Sequence, residues 1–169
     1  LNKFRVLRKP VALKALGICH KTDVSAVSLG IDNETKLIDK FKVMKRLTSS
    51  ETFLIEQQVN DVLVELLVGI VRDPQHGYML TVGEGGILSE LRKDTVTMCM
   101  PCNKSEIKVA LTKLQIWPLL NGYRNNKAVN VAKIVLAIFE LQSYAIDHKD
   151  DLIELEINPL LVKSNEVYA

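Results

Sequence analysis

ELEINPLLV, the stretch from Glu154 to Val162, predicts a strand at the core, because its second half is almost wholly apolar. Glu154, Glu156 and Asn158 alternate with apolar neighbours, and alternate residues of a strand lie on one face. A row of polar side chains beside a core costs free energy unless something pairs with it. The stretch therefore predicts a strand whose polar face meets a partner.

Composition limits the classes of protein that need considering. The chain has 169 residues, enough for one domain or a little more, and a net charge of +2, which gives no argument for nucleic acid or an anionic membrane as partner. It has no apolar run long enough for a membrane span, and its first residues, LNKFRVLRKP, lack the apolar h-region of a signal peptide. Three cysteines, an odd number, favour a reducing compartment, so we expect a cytoplasmic protein without a disulfide framework.

Strands and helices alternate along the rest of the chain, which predicts a mixed α/β fold. Asp32 or Asn33 is expected to cap the first helix, and a hairpin or a tight connection is expected at Asn60–Asp61. The predicted strands are 10–16, 26–31, 52–59, 62–71, 78–83 and 151–162, with a further strand in the final EVYA; the predicted helices are 33–47, 105–114 and 127–144.

Lys14 lies among apolar residues in VALKAL, where a lysine reaching into a cleft would suit a phosphate. A surface lysine whose stem covers apolar neighbours is the alternative. The following loop, His20-Lys21-Thr22-Asp23, offers a cation, a hydroxyl and backbone N–H groups to an anion, although a polar loop needs no ligand.

Glu65 is a carboxylate inside the apolar run VLVELLVGIV, so it must be paired or exposed at a cleft. Ligand hydroxyls could bind it, and an edge position or an ion pair with Arg72 or Lys14 are the alternatives. The GEGG run, Gly83–Gly86, suits either a loop facing phosphate or an ordinary hairpin turn.

Glu156 and Asn158 are oxygen donors of the kind that Mg²⁺ prefers beside ligand phosphates. Together with Lys14 they indicate a cleft for a magnesium nucleotide. The pair Cys99-Met-Pro-Cys102 could be a redox pair or half of a zinc site, but no second cysteine pair accompanies it. Two small apolar side chains around a turn at Pro101 are the simpler interpretation.

Four blocks, taken in order, resemble one known family. They are PVALKALGICHKTDVSAVSLGI, VELLVGIVRDPQHGYMLTVGEGGILSELRKDT, WPLLNGYR and ELEINPLLV. They look like the ATP-grasp domain of the NDP-forming (ADP-forming) acyl-CoA synthetases, relatives of the succinyl-CoA synthetase β subunit. The resemblance runs from about Pro10 to the end and implies an ATP-grasp fold of two subdomains with a nucleotide cleft between them.

The resemblance also implies roles for particular residues. By similarity, Lys14 and Lys21 would bind ATP phosphates, and Glu65 would face the ribose hydroxyls. Glu56, Gln57 and Val59 would lie beside adenine, Glu156 and Asn158 would hold Mg²⁺, and His20 would relay the phosphoryl group.

Activity and partners follow from the same resemblance. The family couples an acyl-CoA thioester to nucleotide phosphorylation through an acyl phosphate and a phosphohistidine. We therefore expect the nucleotide-binding part of an acid–thiol ligase, with ATP or ADP and Mg²⁺ bound, acting in an oligomer with CoA-binding and phosphohistidine domains or subunits. The alternative is a degenerate regulatory module of a protein acetyltransferase.

Three departures from the family pattern accompany the resemblance. Ser25-Ala26 stands where the family loop has glycine followed by glycine or alanine, and His76 stands where an aromatic residue usually precedes glycine. The domain also looks truncated at both ends, with residues 1–169 forming an incomplete ATP-grasp domain. Its N-terminal part is expected at 1–50 and its C-terminal part at 51–169.

Overall fold

A computed structural model describes residues 2–17, 26–86, 89–124 and 127–169. The chain divides into two compact units, one ending at Asn60 and the other starting at Asp61. All strand pairs in both units are antiparallel. The elements are α1 Asn2–Val6, β1 Val11–Ala15, β2 Val27–Ile31, α2 Glu34–Thr48, β3 Phe53–Gln57, β4 Val64–Asp73, β5 Gly77–Glu84, α3 Ser89–Arg92, β6 Thr95–Cys99, α4 Lys104–Thr112, α5 Trp117–Leu120, α6 Val131–Asp147, β7 Glu154–Val162 and β8 Val167–Tyr168.

The first unit has a three-stranded sheet in the order β2-β1-β3. One face of this sheet carries apolar side chains that pack with α1 and α2, because Val11, Leu13 and Ala15 alternate along β1. The predicted cap of α2 is confirmed, since the Asn33 side chain accepts a hydrogen bond from the Lys36 N–H at 2.9 Å.

The second unit has a five-stranded sheet in the order β6-β5-β4-β7-β8. Helices α4 and α6 cover one of its faces, and the core there consists of the inward residues of β4 and β5 with Ile107, Leu111, Ile134 and Ile138. Along β4, buried residues alternate with exposed or half-buried ones from Val64 to Ile70, so the opposite face of this sheet is open. That open face carries the predicted ligands of the second unit.

Of the two alternatives expected at Asn60–Asp61, a hairpin or a tight connection, the hairpin is wrong. Asp61 does turn the chain, with a φ of 57°, but β3 pairs with β1 and β4 pairs with β5 and β7. Two apolar strands on either side of a turn look alike in sequence whether they pair with each other or with different strands. The division between the two compact units falls after Asn60, and the expected subdomain bounds of 1–50 and 51–169 stay a prediction.

Most other elements lie close to their predicted positions. Helix α6 starts at Val131, because Asn130 caps it through the Lys133 N–H, and not at Lys127 as predicted. Elements α1, α3, β6 and α5 were not predicted, since each is only four or five residues long and too short for a clear period.

Candidate functional site

The open face of the five-stranded sheet brings together three polar groups from distant parts of the chain. The carboxylate of Glu65 on β4 lies against the Cα atom of Gly86, so a methyl group added at Gly86 would collide with it. The Asn158 side-chain oxygen on β7 accepts a hydrogen bond from the Gly86 N–H at 2.9 Å. Glu65, Gly86 and Asn158 form what is called here the ribbon cluster.

Backbone contacts hold the glycine run against β4. The Gly85 N–H donates to the Glu65 carbonyl at 2.8 Å, and Gly86 adopts a φ of +78°, which favours glycine. A Cβ at Gly85 would meet the carbonyl oxygen of Leu66 at 2.5 Å. The GEGG run is thus the end of β5 with a close approach to β4, and not the turn of a hairpin.

An irregularity in the pairing of β4 with β7 decides which β7 side chains reach the open face. Glu65 lies opposite Leu161 and Gly69 opposite Glu156, with a register shift in between. Because of this shift, Leu161 at one end of β7 and Glu156 nearer the other end lie on the same, open face, although one number is odd and the other even. Glu154, Glu156 and Asn158 are all exposed, as their alternation predicts.

Gly69 is a feature of this face that the sequence analysis missed. It lies directly opposite Glu156, and of the described atoms a Cβ there would meet only Leu67 Cδ2, at 4.0 Å. The sheet therefore leaves free space beside the Glu156 carboxylate. A glycine in the middle of an apolar strand is a signal of close approach that sequence alone could have raised.

Glu84 was also missed. Its Oε1 atom pairs with the guanidinium of Arg92 at 2.8 Å, and its Oε2 atom is buried without a hydrogen-bond partner among the described residues. The Glu84–Arg92 pair links the end of β5 to α3, on the far side of the Gly85–Gly86 segment. This ion pair therefore connects the last residue of β5 to the last residue of α3.

The donor set of the open face fits Mg²⁺ bound largely through a ligand. Among the described residues, no group of three or more His, Cys, Asp or Glu side chains could hold a metal by itself. Glu156 and Asn158 supply a carboxylate and an amide oxygen on an exposed face. Magnesium commonly takes one or two such protein ligands and completes its shell with water and phosphate oxygens.

Lys14, in the first unit, lies on the face of its sheet opposite the apolar core. Its ammonium group forms an ion pair with Glu56, and both side chains are about one-third exposed, at 34% and 38%. Lys14 lies opposite Leu54 and Ala12 opposite Glu56, so the pair runs diagonally between neighbouring strands. Glu65, by contrast, forms no ion pair with Lys14 or Arg72 among the described residues.

The other predicted nucleotide contacts are dispersed. Gln57 lies opposite Val11, so its side chain is on the face of the sheet opposite to that of Lys14 and Glu56. Val59 follows the end of β3 and is half-buried. His20 and Lys21 lie outside the described residues, as does the Ser25 half of the Ser25-Ala26 departure.

The Cys99–Cys102 segment is a structural turn among the described residues. Cys102 is buried, and its backbone N–H and carbonyl both bond the side chain of the buried Gln142, at 2.6 and 2.8 Å. Burial raises the pKa of the Cys102 thiol, and the charges of Glu106 and Cys99 add to this. Both thiols are free, which favours the interpretation as a small apolar residue at a turn.

None of the helices in the described part of the chain is long and apolar enough to cross a membrane.

Comparisons of the sequence with family models and with known proteins agree on one family. The family model described as an ATP-grasp domain matches residues 2–169. The chain is 26% identical to the β subunit of an ADP-forming acetate–CoA ligase II from Pyrococcus furiosus, over 90% of this chain and 68% of that subunit. It is 29% identical to an ADP-forming acetate–CoA ligase I from Archaeoglobus fulgidus, over 90% of this chain and 23% of that protein.

Solved structures show the same fold. The acetyl-coenzyme A synthetase 1 of Ca. Korarchaeum cryptofilum, in complex with coenzyme A, Ca-AMPCP and HgCl+, superposes with a TM-score of 0.88 at 24% identity, covering 98% of this chain and 76% of that one. The same synthetase with coenzyme A and Mg-AMPPCP gives a TM-score of 0.84 at 23% identity, with the same coverage. A family match over almost the whole chain, with two antiparallel sheets in this arrangement of strands, shows that the chain belongs to the ATP-grasp domain family.

Proposed function

We propose that this chain is the nucleotide-binding part of an ADP-forming acyl-CoA synthetase, where it binds Mg²⁺ with ATP or ADP. The observation that carries the proposal is the ribbon cluster beside Glu156, which gathers two carboxylates and an amide oxygen on one open sheet face. Relatives named as ADP-forming ligases over most of the chain support the reaction class. These relatives give no support to a regulatory acetyltransferase module.

Within the second unit, Glu156 and Asn158 would hold the magnesium ion. The ion supplies positive charge to the phosphate oxygens, which is where negative charge concentrates during phosphoryl transfer. Glu65 would accept hydrogen bonds from the ribose hydroxyls. Its carboxylate is exposed on the open face and lacks an ion-pair partner among the described residues, so its acceptor capacity is free for this role.

Lys14 of the first unit would contribute a point charge to the phosphates. Its ion pair with Glu56 keeps the ammonium group on the open face of its sheet, although an exposed pair of this kind is worth no more than about 1 kcal/mol. A polyphosphate could therefore draw Lys14 away from Glu56 at low cost. Lys21 would add a further cation. Glu56, Gln57 and Val59 would border adenine, with Gln57 and Val59 acting through the backbone.

Transfer of the phosphoryl group would need a partner. The Korarchaeum synthetase has a phosphohistidine segment that points towards its nucleotide-binding site. We infer that a comparable phosphohistidine, from another domain or subunit that also binds CoA, would exchange a phosphoryl group with the nucleotide, with His20 as a relay. Such an assembly would work in the cytoplasm, and the acyl group would be selected outside this chain.

Isothermal titration calorimetry with ATP tests the proposal. The protein is expected to bind ATP in the presence of Mg²⁺, and Lys14→Ala should weaken binding at least about tenfold, because one phosphate-facing charge is lost. Lys36→Ala is the matched control. It removes a lysine from an exposed ion pair of the same unit and should leave the affinity unchanged. Absence of ATP binding by the unmodified protein would show the proposal to be wrong.

A further inference from the structure

Among the residues that the structure describes, the outer edge of β6 has no strand partner and carries a regular set of outward-pointing backbone groups. β6 is the terminal strand of its sheet, and no described strand pairs with its outer side. Met100 and Asp94, which flank it, exchange hydrogen bonds with β5: the Met100 N–H donates to the Tyr78 carbonyl, and the Glu84 N–H donates to the Asp94 carbonyl, each at 2.9 Å. In an antiparallel ladder, residues whose backbone bonds the neighbour alternate with residues whose backbone points away.

The alternation assigns the free groups. The backbones of Asp94 and Met100 bond β5, so by alternation the backbones of Val96 and Met98 bond β5 as well. The backbone N–H and carbonyl groups of Thr95, Thr97 and Cys99 therefore point outward, away from β5. Close approach of the Thr81 and Thr97 hydroxyls, at 2.9 Å, is typical of a pair without backbone bonds between its members. The three outward residues are spaced evenly about Thr97. A second β6 placed antiparallel across a two-fold axis at Thr97 would thus meet each free donor with a free acceptor.

The usual protection of a strand edge is missing along β6. Natural sheets guard their edges with lysine, proline, bulges or inward-pointing charges. TVTMC has none of these, and three of its five residues are threonine or valine, which favour strands. An unguarded edge of this kind is a template for pairing with another chain.

Helix α4 adds charge complementarity to the edge. A groove of about 420 Å³ runs between β6 and α4, lined on the helix side by Glu106, Val109 and Lys113 among others. The chain reverses between Cys99 and Asn103, and Asp94 bonds the N–H groups of Gln115 and Ile116, so α4 runs antiparallel to β6. Glu106 therefore lies towards the Cys99 end of the strand and Lys113 towards the Thr95 end.

A two-fold axis at Thr97 would exchange these ends. Glu106 of one copy would face Lys113 of the other, twice in each pair, and the half-exposed Val109 side chains would meet near the axis. We propose that a second copy of this chain docks on the β6 edge, so that two five-stranded sheets join into one continuous sheet flanked by the paired α4 helices. The contact is isologous, as two-fold interfaces are.

Analytical ultracentrifugation of the protein tests this proposal over a concentration range of about 1 to 200 µM, because an interface of one strand and one helix per copy is at the small end of the usual sizes. The unmodified protein is expected to show a monomer–dimer equilibrium. Thr97→Pro should abolish the dimer, since it removes an outward N–H, while Thr97→Val keeps that N–H and should dimerise normally. Proline at an outward-facing position of an edge strand leaves the bonds to β5 in place.

Charge reversal gives a second test that does not depend on the strand. Lys113→Glu places like charges across the axis and should weaken the dimer at least about tenfold. The double variant E106K/K113E restores opposite charges and should recover dimerisation, although Glu106→Lys also removes the hydrogen bond that the Glu106 carboxylate accepts from the Asn103 N–H at 2.7 Å at the start of α4. Thermal unfolding of E106K alone measures that separate cost to the helix. Lys108→Glu makes the same charge change on an exposed part of α4 outside the groove and should have no effect.

Two results would overturn the proposal. One is an unmodified protein that sediments as a monomer over the whole concentration range. That result would mean that no second copy binds the β6 edge, even if a different protein does. The other is a dimer whose affinity is unchanged in Lys113→Glu, and in Thr97→Pro where that variant folds, which would place the interface elsewhere.

Discussion

The side-chain oxygen of Asn158 accepts a hydrogen bond from the backbone N–H of Gly86, with 2.9 Å between the two atoms. This bond joins the glycine segment after β5 to a strand seventy-two residues later in the chain. It also orients the amide of Asn158, since an oxygen that accepts from Gly86 must point towards the ribbon cluster. The second lone pair of that oxygen stays available for a metal ion.

Gly86→Ala should reduce both stability and nucleotide affinity. The substitution costs about 1 kcal/mol for the left-handed backbone, and its methyl group would also displace the Glu65 carboxylate. Gly77→Ala is a matched control, because Gly77 has almost the same φ, +77°, and no atom within 4 Å of the added Cβ. Chemical denaturation and ATP titration should show a larger loss of stability for Gly86→Ala and a loss of affinity for Gly86→Ala alone. Equal behaviour of the two variants would contradict the role of the ribbon cluster.

Glu156→Ala should weaken magnesium-dependent ATP binding at least about tenfold, as loss of a carboxylate ligand predicts. Glu154→Ala provides the comparison. Glu154 is exposed on the same strand face, one alternation farther from the ribbon cluster, and forms no ion pair among the described residues. Titrating Mg²⁺ at fixed ATP measures the two variants side by side. An equal effect of both would show that the face binds metal only through its general negative charge.

Gly69→Val should leave the fold intact and reduce Mg-ATP affinity. The added side chain has space, since its Cβ meets only Leu67 Cδ2 at 4.0 Å, and valine suits a strand better than glycine does. It would, however, fill the space beside Glu156. Thermal unfolding should be unchanged or shifted upward, while ATP titration should show a graded loss from Gly69→Ala to Gly69→Val. Unchanged affinity in both variants would mean that the nucleotide does not use this part of the face.

Cys99 should react with thiol reagents at pH 8 much faster than Cys102. Burial, with the charges of Glu106 and Cys99, raises the pKa of the Cys102 thiol, so the reactive thiolate is scarce there and becomes abundant only at higher pH. The reagent also has less access to Cys102, which is 5% exposed. Timed labelling followed by peptide mass spectrometry measures each cysteine separately. In denaturant the two rates should converge, and equal rates in the native protein would contradict the buried turn.

Prediction from sequence was best for single elements and for residues on one strand. Helix α2 and its Asn33 cap follow from period and capping chemistry, both of which act over a few residues. The shared exposure of Glu154, Glu156 and Asn158 follows from the period of a strand. The family, the ATP-grasp fold and the mixed α and β composition were predicted from four ordered blocks and are confirmed.

Pairing between strands was predicted less well. A hairpin of β3 with β4 was one of two alternatives, because both strands are apolar and a turn separates them, yet β3 belongs to the sheet of Lys14. Gln57 and Glu56 are adjacent in β3, so their side chains point to opposite faces of the sheet. The assignment of Glu56, Gln57, Val59, His20 and Lys21 to the nucleotide stays a prediction.

The sequence by itself determined which residue types were available: a lysine in one strand, a glutamate in another, and the ELEIN pattern near the end. Local periodicity and backbone chemistry act over a few residues, so they can be recognised in the sequence without a structure. Only the tertiary structure decided that Glu65, Gly86 and Asn158 meet, that Gly69 leaves space beside Glu156, and that no described strand pairs with the outer side of β6. Those relationships depend on strand order and register, which arise from packing between residues far apart in the chain and leave little trace in any one segment.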